Sequence, residues 1–131
     1  MELARRYGIN EITVRYIPYT ELNYEMSKYK YGFLLRKDTA VNNVATPTKM
    51  NSYMACGVIP IFSDVIGDFK DALKDVRYKI AVSSSNDCIN ALKEIENREL
   101  NSAEILKEYK KIFETYYSKV FYVEKIVHFL R

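Results

Sequence analysis

Residues 31–64 read YGFLLRKDTAVNNVATPTKMNSYMACGVIPIFSD, and the order of residue types in this stretch decides the fold. Tyr31–Leu35 is a short continuous apolar run, as a central parallel strand requires. A polar loop, Arg36–Thr46, follows it. Thr46 is placed to cap a helix, with Pro47 at the first helical position, where a missing N–H costs nothing. Met50, Tyr53 and Met54 fall on one face of that helix, and Gly57 ends it. Val58–Phe62 (VIPIF) is a second apolar run. Pro60 removes a ladder donor, so this strand is expected to begin near the proline or to be irregular. Strand, helix and strand in that order imply a crossover connection and therefore a parallel sheet.

The same alternation extends outward. Residues 2–7 read as the tail of a helix that Gly8 ends in a left-handed conformation. Ile12–Ile17 (ITVRYI) alternates and is β-branched, so it reads as a strand, stopped by Pro18. Thr20 then caps a helix carrying Leu22, Met26 and Tyr29. Beyond VIPIF, Val65–Lys74 reads as a helix with Phe69 and Leu73 inward, and Tyr78–Val82 (YKIAV) as a further strand. Ser84–Ser85 starts a helix with Ile89, Leu92 and Ile95 on one face. Ile105, Tyr109, Ile112 and Tyr116 mark a long helix. Val120, Val123, Val127 and Leu130 mark another, with a bend near Ser118. The expectation is an α/β fold: a Rossmann-like parallel sheet of about four or more strands, helices on both faces and a helical C-terminal arm. A start inside a helix and so small a sheet suggest a fragment of a larger chain.

The composition fits an ordinary soluble domain. The chain has 131 residues, 48% hydrophobic and 28% charged, enough for one domain with a real core. A net charge of +3 gives no argument for nucleic acid. No apolar run approaches the roughly 18 residues of a membrane span. The N-terminus has no signal-peptide core. Cys56 and Cys88 make neither a disulfide framework nor a metal spacing, and read as reduced core residues of a cytoplasmic protein. Twelve tyrosines without a tryptophan fall largely at helical core spacing and read as half-buried packing.

In an open parallel sheet, ligands bind outside the carboxyl ends of the strands, which is where Arg36–Thr46 must lie. Lys49 sits in the first turn of the helix that follows. A cation there opposes the helix dipole by about 0.3–1 kcal/mol, and a bound anion would reverse that sign. The free amides, the hydroxyls of Thr46 and Thr48, Lys49, and Arg36 across the loop together outline a phosphate cradle. A solvated lysine on an ordinary Thr-Pro helix start is the plain alternative.

These residues resemble the donor-binding half of GT-B glycosyltransferases, most of all bacterial sugar transferases of surface polysaccharide assembly. There a strand ending in Leu-Arg precedes a loop of the type Asn-x-Val-Ala-x-Pro-Thr-Lys. A helix ending in Ala-x-Gly and a proline-bearing strand follow. Arg36, Asn43, Val44, Ala45, Pro47, Thr48, Lys49, Tyr53, Ala55, Gly57 and Pro60 carry the match, over about a quarter of the chain. The resemblance implies a C-terminal donor-binding domain spanning 1–131, one half of a two-domain enzyme that is inactive without the other. A nucleotide-diphosphate sugar would be held by Arg36, Asn43, Val44, Ala45, Thr46, Thr48, Lys49 and Ser52. Ser52 stands where the family's ribose-binding glutamate falls, which shifts that role toward Asn51 or water. Val44 stands where the first acid of the paired-glutamate pattern would be. The partners implied are the missing N-terminal domain, a saccharide or lipid-linked acceptor and a peripheral membrane contact, with no nucleic acid. The resemblance leans toward retention of configuration. It implies no cofactor; no Asp-x-Asp motif is present, so transfer is expected to be metal-independent. No residue here is assigned a catalytic role. His128, the only histidine, reads as structural or surface.

Other acids and hydroxyls have simpler readings. Asp64, Asp68 and Asp71 would share a face if their helix began early, and dipole-favoured acids explain them. Ser83–Ser85 is explained by capping, and Lys107, Lys110 and Lys111 by a solvated face. A receiver domain would need clustered acids after ITVRYI, and a flavin binder a Ser/Thr-rich loop there; neither is present. A non-catalytic α/β interaction or ligand-binding module remains the competing reading.

Overall fold

A computed structural model describes residues 5–6, 8–44, 47–97 and 100–130. Three parallel strands form one sheet in the order β1 (Tyr31–Leu34), β2 (Ile59–Ser63), β3 (Ile80–Val82). Between β1 and β2 lie α2 (Ala40–Val44) and α3 (Thr48–Ala55), and between β2 and β3 lies α4 (Gly67–Ala72). A short α1 (Leu22–Met26) precedes the sheet, and α5 (Ser85–Glu96), α6 (Ser102–Thr115) and α7 (Lys119–Phe129) follow it. The fold class is therefore α/β, with one strand fewer than the sequence suggests.

The strand that is missing is ITVRYI. Residues 11–18 form no ladder, and Val14 and Tyr16 are 80% and 90% exposed. β-Propensity describes fit to a half-buried pleated surface, and without a neighbouring strand it fixes nothing. Arg15 instead pairs with Glu25 of α1 and donates to the Tyr29 hydroxyl at 3.3 Å, holding the segment beside that helix. Thr20 caps nothing. A 3-10 turn at Tyr19–Glu21 follows Pro18, α1 begins only at Leu22, and Tyr29 lies beyond its end and is exposed.

Register sorts the sheet into two faces. Tyr31, Ile59, Ile61 and Ile80 share one, and Gly32, Pro60, Phe62 and Ala81 the other. Helices cover both. On the first, the Glu96 carboxylate at the end of α5 accepts from the Tyr31 hydroxyl at 2.5 Å and from Lys30 at 2.7 Å. On the second, the Tyr53 ring of α3 lies against Gly32 so closely that an added Cβ would sit 2.8 Å from it. All five residues of β2 are buried. β1 is an edge strand, and its exposed Phe33 departs from the continuous burial expected of YGFLL. The Tyr53 hydroxyl donates to the Phe33 carbonyl at 3.1 Å, blunting that edge.

β2 begins at Ile59, next to Pro60, as expected, and the ladder explains how the proline fits there. The Ile59 N–H bonds Lys30 of the β1 side, and the Asp64 N–H bonds Val82 on the β3 side at 3.1 Å. Successive residues alternate sides, so residue 60 faces β3, where its donor would meet the Tyr78 carbonyl. Proline has no donor to give. Tyr109 of α6 supplies one, its buried hydroxyl donating to Tyr78 O at 2.7 Å. A buried carbonyl is thereby satisfied. This also trims YKIAV to Ile80–Val82.

The remaining elements follow their caps. α3 ends in a Schellman arrangement: Gly57 takes φ 71°, its N–H bonds Met54 O, and the Val58 N–H bonds Tyr53 O. α4 is shorter than Val65–Lys74 and leaves Asp64 in the preceding turn, so the three aspartates do not share a helix face. Phe69 and Leu73 are fully buried as expected. Ser84 caps α5 by accepting from the Asp87 N–H, and Ile95 turns inward while Ile89 is exposed. Asn101 caps α6, and Ser118 precedes α7. Asp68 of α4 accepts from the Tyr116 and Tyr117 hydroxyls, both at 3.3 Å, tying the end of α6 to α4.

Candidate functional site

α3 runs back from the carboxyl ends of the strands to feed β2, so its amino-terminal pole stands over those ends. Met50 and Met54 are fully buried and hold the helix at its inner face. Its first residues differ by one position from the sequence expectation. Pro47 takes the N-cap place with extended ψ 120° and offers no side-chain cap bond, and Thr48 is the first helical residue. Ala45 and Thr46 lie outside the described residues. The amides of Thr48 and Lys49 are ones for which helix geometry provides no intrahelical acceptor, and both side chains are exposed.

The loop before α3 is more ordered than a polar loop need be. Thr39 begins α2: its Oγ1 accepts from the Asn42 N–H at 3.3 Å and its carbonyl from the Asn43 N–H at 3.0 Å. Asn42 Nδ2 donates to Lys37 O at 2.8 Å, and Asn43 Nδ2 to Asp38 at 3.1 Å. Gly67 lets α2 approach α4, since a Cβ there would lie 3.2 Å from the Asn43 carbonyl. Val44 ends α2 exposed. Arg36 leaves β1 with its N–H bonded to Ser63 Oγ at 2.8 Å, its side chain exposed.

The structure thus brings Arg36, Asn43, Val44, Thr48, Lys49 and Ser52 to the carboxyl end of the sheet and its first crossover. Ser52 is committed locally, donating to the Thr48 carbonyl at 3.4 Å. Its neighbour Asn51 carries a buried Oδ1 with no hydrogen-bond partner among the described residues. Sequence reading missed Ser63. It also missed a shallow cavity of about 430 Å³ over the strand ends, lined by Leu35, Ser63, Val82, Ser83, Ser84, Cys88 and Ile89. The signal for Ser63 was a small polar residue closing an otherwise apolar strand.

Other singled-out residues lie elsewhere or have structural work. Ser83 donates to Asp87 at 2.5 Å, and this bond, with that of Ser84, holds the Asp87 carboxyl below its ordinary range. His128 is exposed in the last turn of α7. Cys56 and Cys88 are free and half-buried, and burial pushes the Cys56 thiol up. Lys107, Lys110 and Lys111 are exposed on α6. Among the described residues no cluster of His, Cys, Asp or Glu could hold a metal ion, and no helix is long and apolar enough to cross a membrane. No protein-family profile, curated protein or solved structure matches the chain.

Proposed function

We propose that this chain is the donor-binding domain of a GT-B-like glycosyltransferase, holding a nucleotide-diphosphate sugar with its diphosphate over the amino-terminal pole of α3. The observation that supports this most is the meeting of three things at the carboxyl ends of β1 and β2. They are a helix pole bearing Lys49, whose N-cap Pro47 offers no side-chain bond, an Arg36 whose main chain is pinned by Ser63, and an open cavity that Ser63 also lines, with Leu35. Transfer of a sugar leaves a nucleotide diphosphate with growing negative charge, and fixed amides and cations are what stabilise it. Because Ser52 is spent on its own helix and the Asn51 oxygen beside it is buried, ribose recognition falls to bridging water. The acceptor, a saccharide or lipid-linked sugar, and any general base would come from a second domain, at a cytoplasmic site in contact with the membrane surface.

Thermal melts of the chain with UDP-, GDP- and ADP-sugars test this reading. One nucleotide class should raise the melting temperature. Lys49→Ala should weaken that ligand about tenfold, or about 1.4 kcal/mol, with the unliganded melting point kept or slightly raised. The exposed apolar face of α7 favours the second reading, a non-catalytic interaction module. A chain that responds to no nucleotide, even joined to a partner domain, would belong there.

A further inference from the structure

We propose that Ser63 is a positioning residue: its hydroxyl fixes the Arg36 main chain across an opened β1–β2 seam and so sets where Arg36 meets an anionic ligand. The inference rests on the donor-site reading for the ligand only. β1 pairs with β2 as far as Leu34↔Phe62, whereas β2 stays with β3 through Ser63↔Val82, and the Asp64 N–H continues that ladder to Val82 O. β2 therefore parts from β1 at Ser63. In an unbroken parallel ladder the Arg36 N–H would reach the main-chain carbonyl of residue 63. Here the side-chain Oγ takes it at 2.8 Å. A side chain in place of a main-chain acceptor lets the two strands splay at their carboxyl ends, which is where the cavity beside Leu35 opens.

Two further facts make the residue more than a splice. Ser63 is only 8% exposed, so few waters can compete with its hydroxyl for the Arg36 N–H. A hydroxyl that accepts one bond also keeps its own proton to donate, and among the described residues no acceptor is bonded to it. A ligand oxygen entering the cavity that Ser63 lines would find that proton beside the Arg36 main chain.

The test uses the whole 131-residue chain with Ser63→Ala, Ser63→Thr, Arg36→Ala and the Ser63→Ala/Arg36→Ala double variant. Without ligand, amide hydrogen exchange at Arg36 should accelerate about tenfold in Ser63→Ala. It should stay unchanged in Ser63→Thr, and exchange at Phe62, which faces β3, should not move. Titration with inorganic pyrophosphate should show about tenfold weaker binding in both Arg36→Ala and Ser63→Ala, with the double variant no weaker than Arg36→Ala. Equal Arg36 exchange in wild type and Ser63→Ala, or simply additive losses of affinity, would overturn the proposal. Absence of any pyrophosphate binding by the wild type would instead fell the donor-site reading, while the exchange measurement would still decide the role of Ser63.

Discussion

Every residue of β2 is buried, while Val120, Val123, Ile126, Val127 and Phe129 of α7 all stand exposed. Both segments are written mainly in apolar residues. β2 lies between two neighbours and under helices on both faces, so each of its side chains finds a surface. α7 leaves the body after Ser118, beyond the Asp68 anchor that holds Tyr116 and Tyr117. Apolar character states a demand for burial. Topology decides whether the demand is met.

Truncations to alanine should separate the two regions most clearly. Phe62→Ala, in the fully buried centre, should cost about 3–5 kcal/mol in denaturant unfolding. Val123→Ala on α7 should stay within about 0.5 kcal/mol. A comparable loss at Val123 would mean that α7 is covered in solution and would erase the contrast. Tyr109→Phe is the next largest. It removes only the hydroxyl that serves the Tyr78 carbonyl, and should cost about 1–3 kcal/mol through an unsatisfied buried acceptor. Unchanged stability would show that the Pro60 position needs no substitute donor.

The smallest expected effect is at Asp87. Its carboxyl is held low first by the Ser83 hydroxyl and then by Ser84. A depressed carboxylate contributes stability above its unfolded pKa of about 3.9 and loses it as pH falls through the folded value. Ser83→Ala should therefore move the Asp87 titration upward in an NMR pH series and lower neutral-pH stability slightly, a difference that vanishes as pH falls below the folded value. An unmoved titration would assign the capping of α5 to Ser84 alone.

The sequence-level reading did best where local chemistry and long-range packing agree. Gly57 ends α3 and Ser84 caps α5 because glycine and hydroxyl chemistry at helix ends acts within about one turn and a half of chain. ITVRYI failed because a strand is a property of a pair, and nothing within those six residues says whether a neighbour exists. Thr20 and the start of α3 moved because proline terminates or begins an element more firmly than a hydroxyl caps one. At the candidate site, Arg36 and Lys49 were readable from their places after a strand and in a first helical turn. Ser63 was not, since its value comes from where β1 and β2 part, a matter of register that no residue spacing reveals. β2 starts near Pro60, as expected; what no spacing reveals is the tyrosine that serves the missing donor's partner from another helix.

That tyrosine has a consequence for how the chain assembles. Tyr109 follows Tyr78 by 31 positions, so during vectorial synthesis β2 and β3 emerge before the hydroxyl that completes their junction. Until α6 is made, the Tyr78 amide oxygen has only water to bond. Closure of that junction is thus timed by the ribosome's progress through a distant helix, and release of the chain upstream of residue 109 would leave the third strand without its latch.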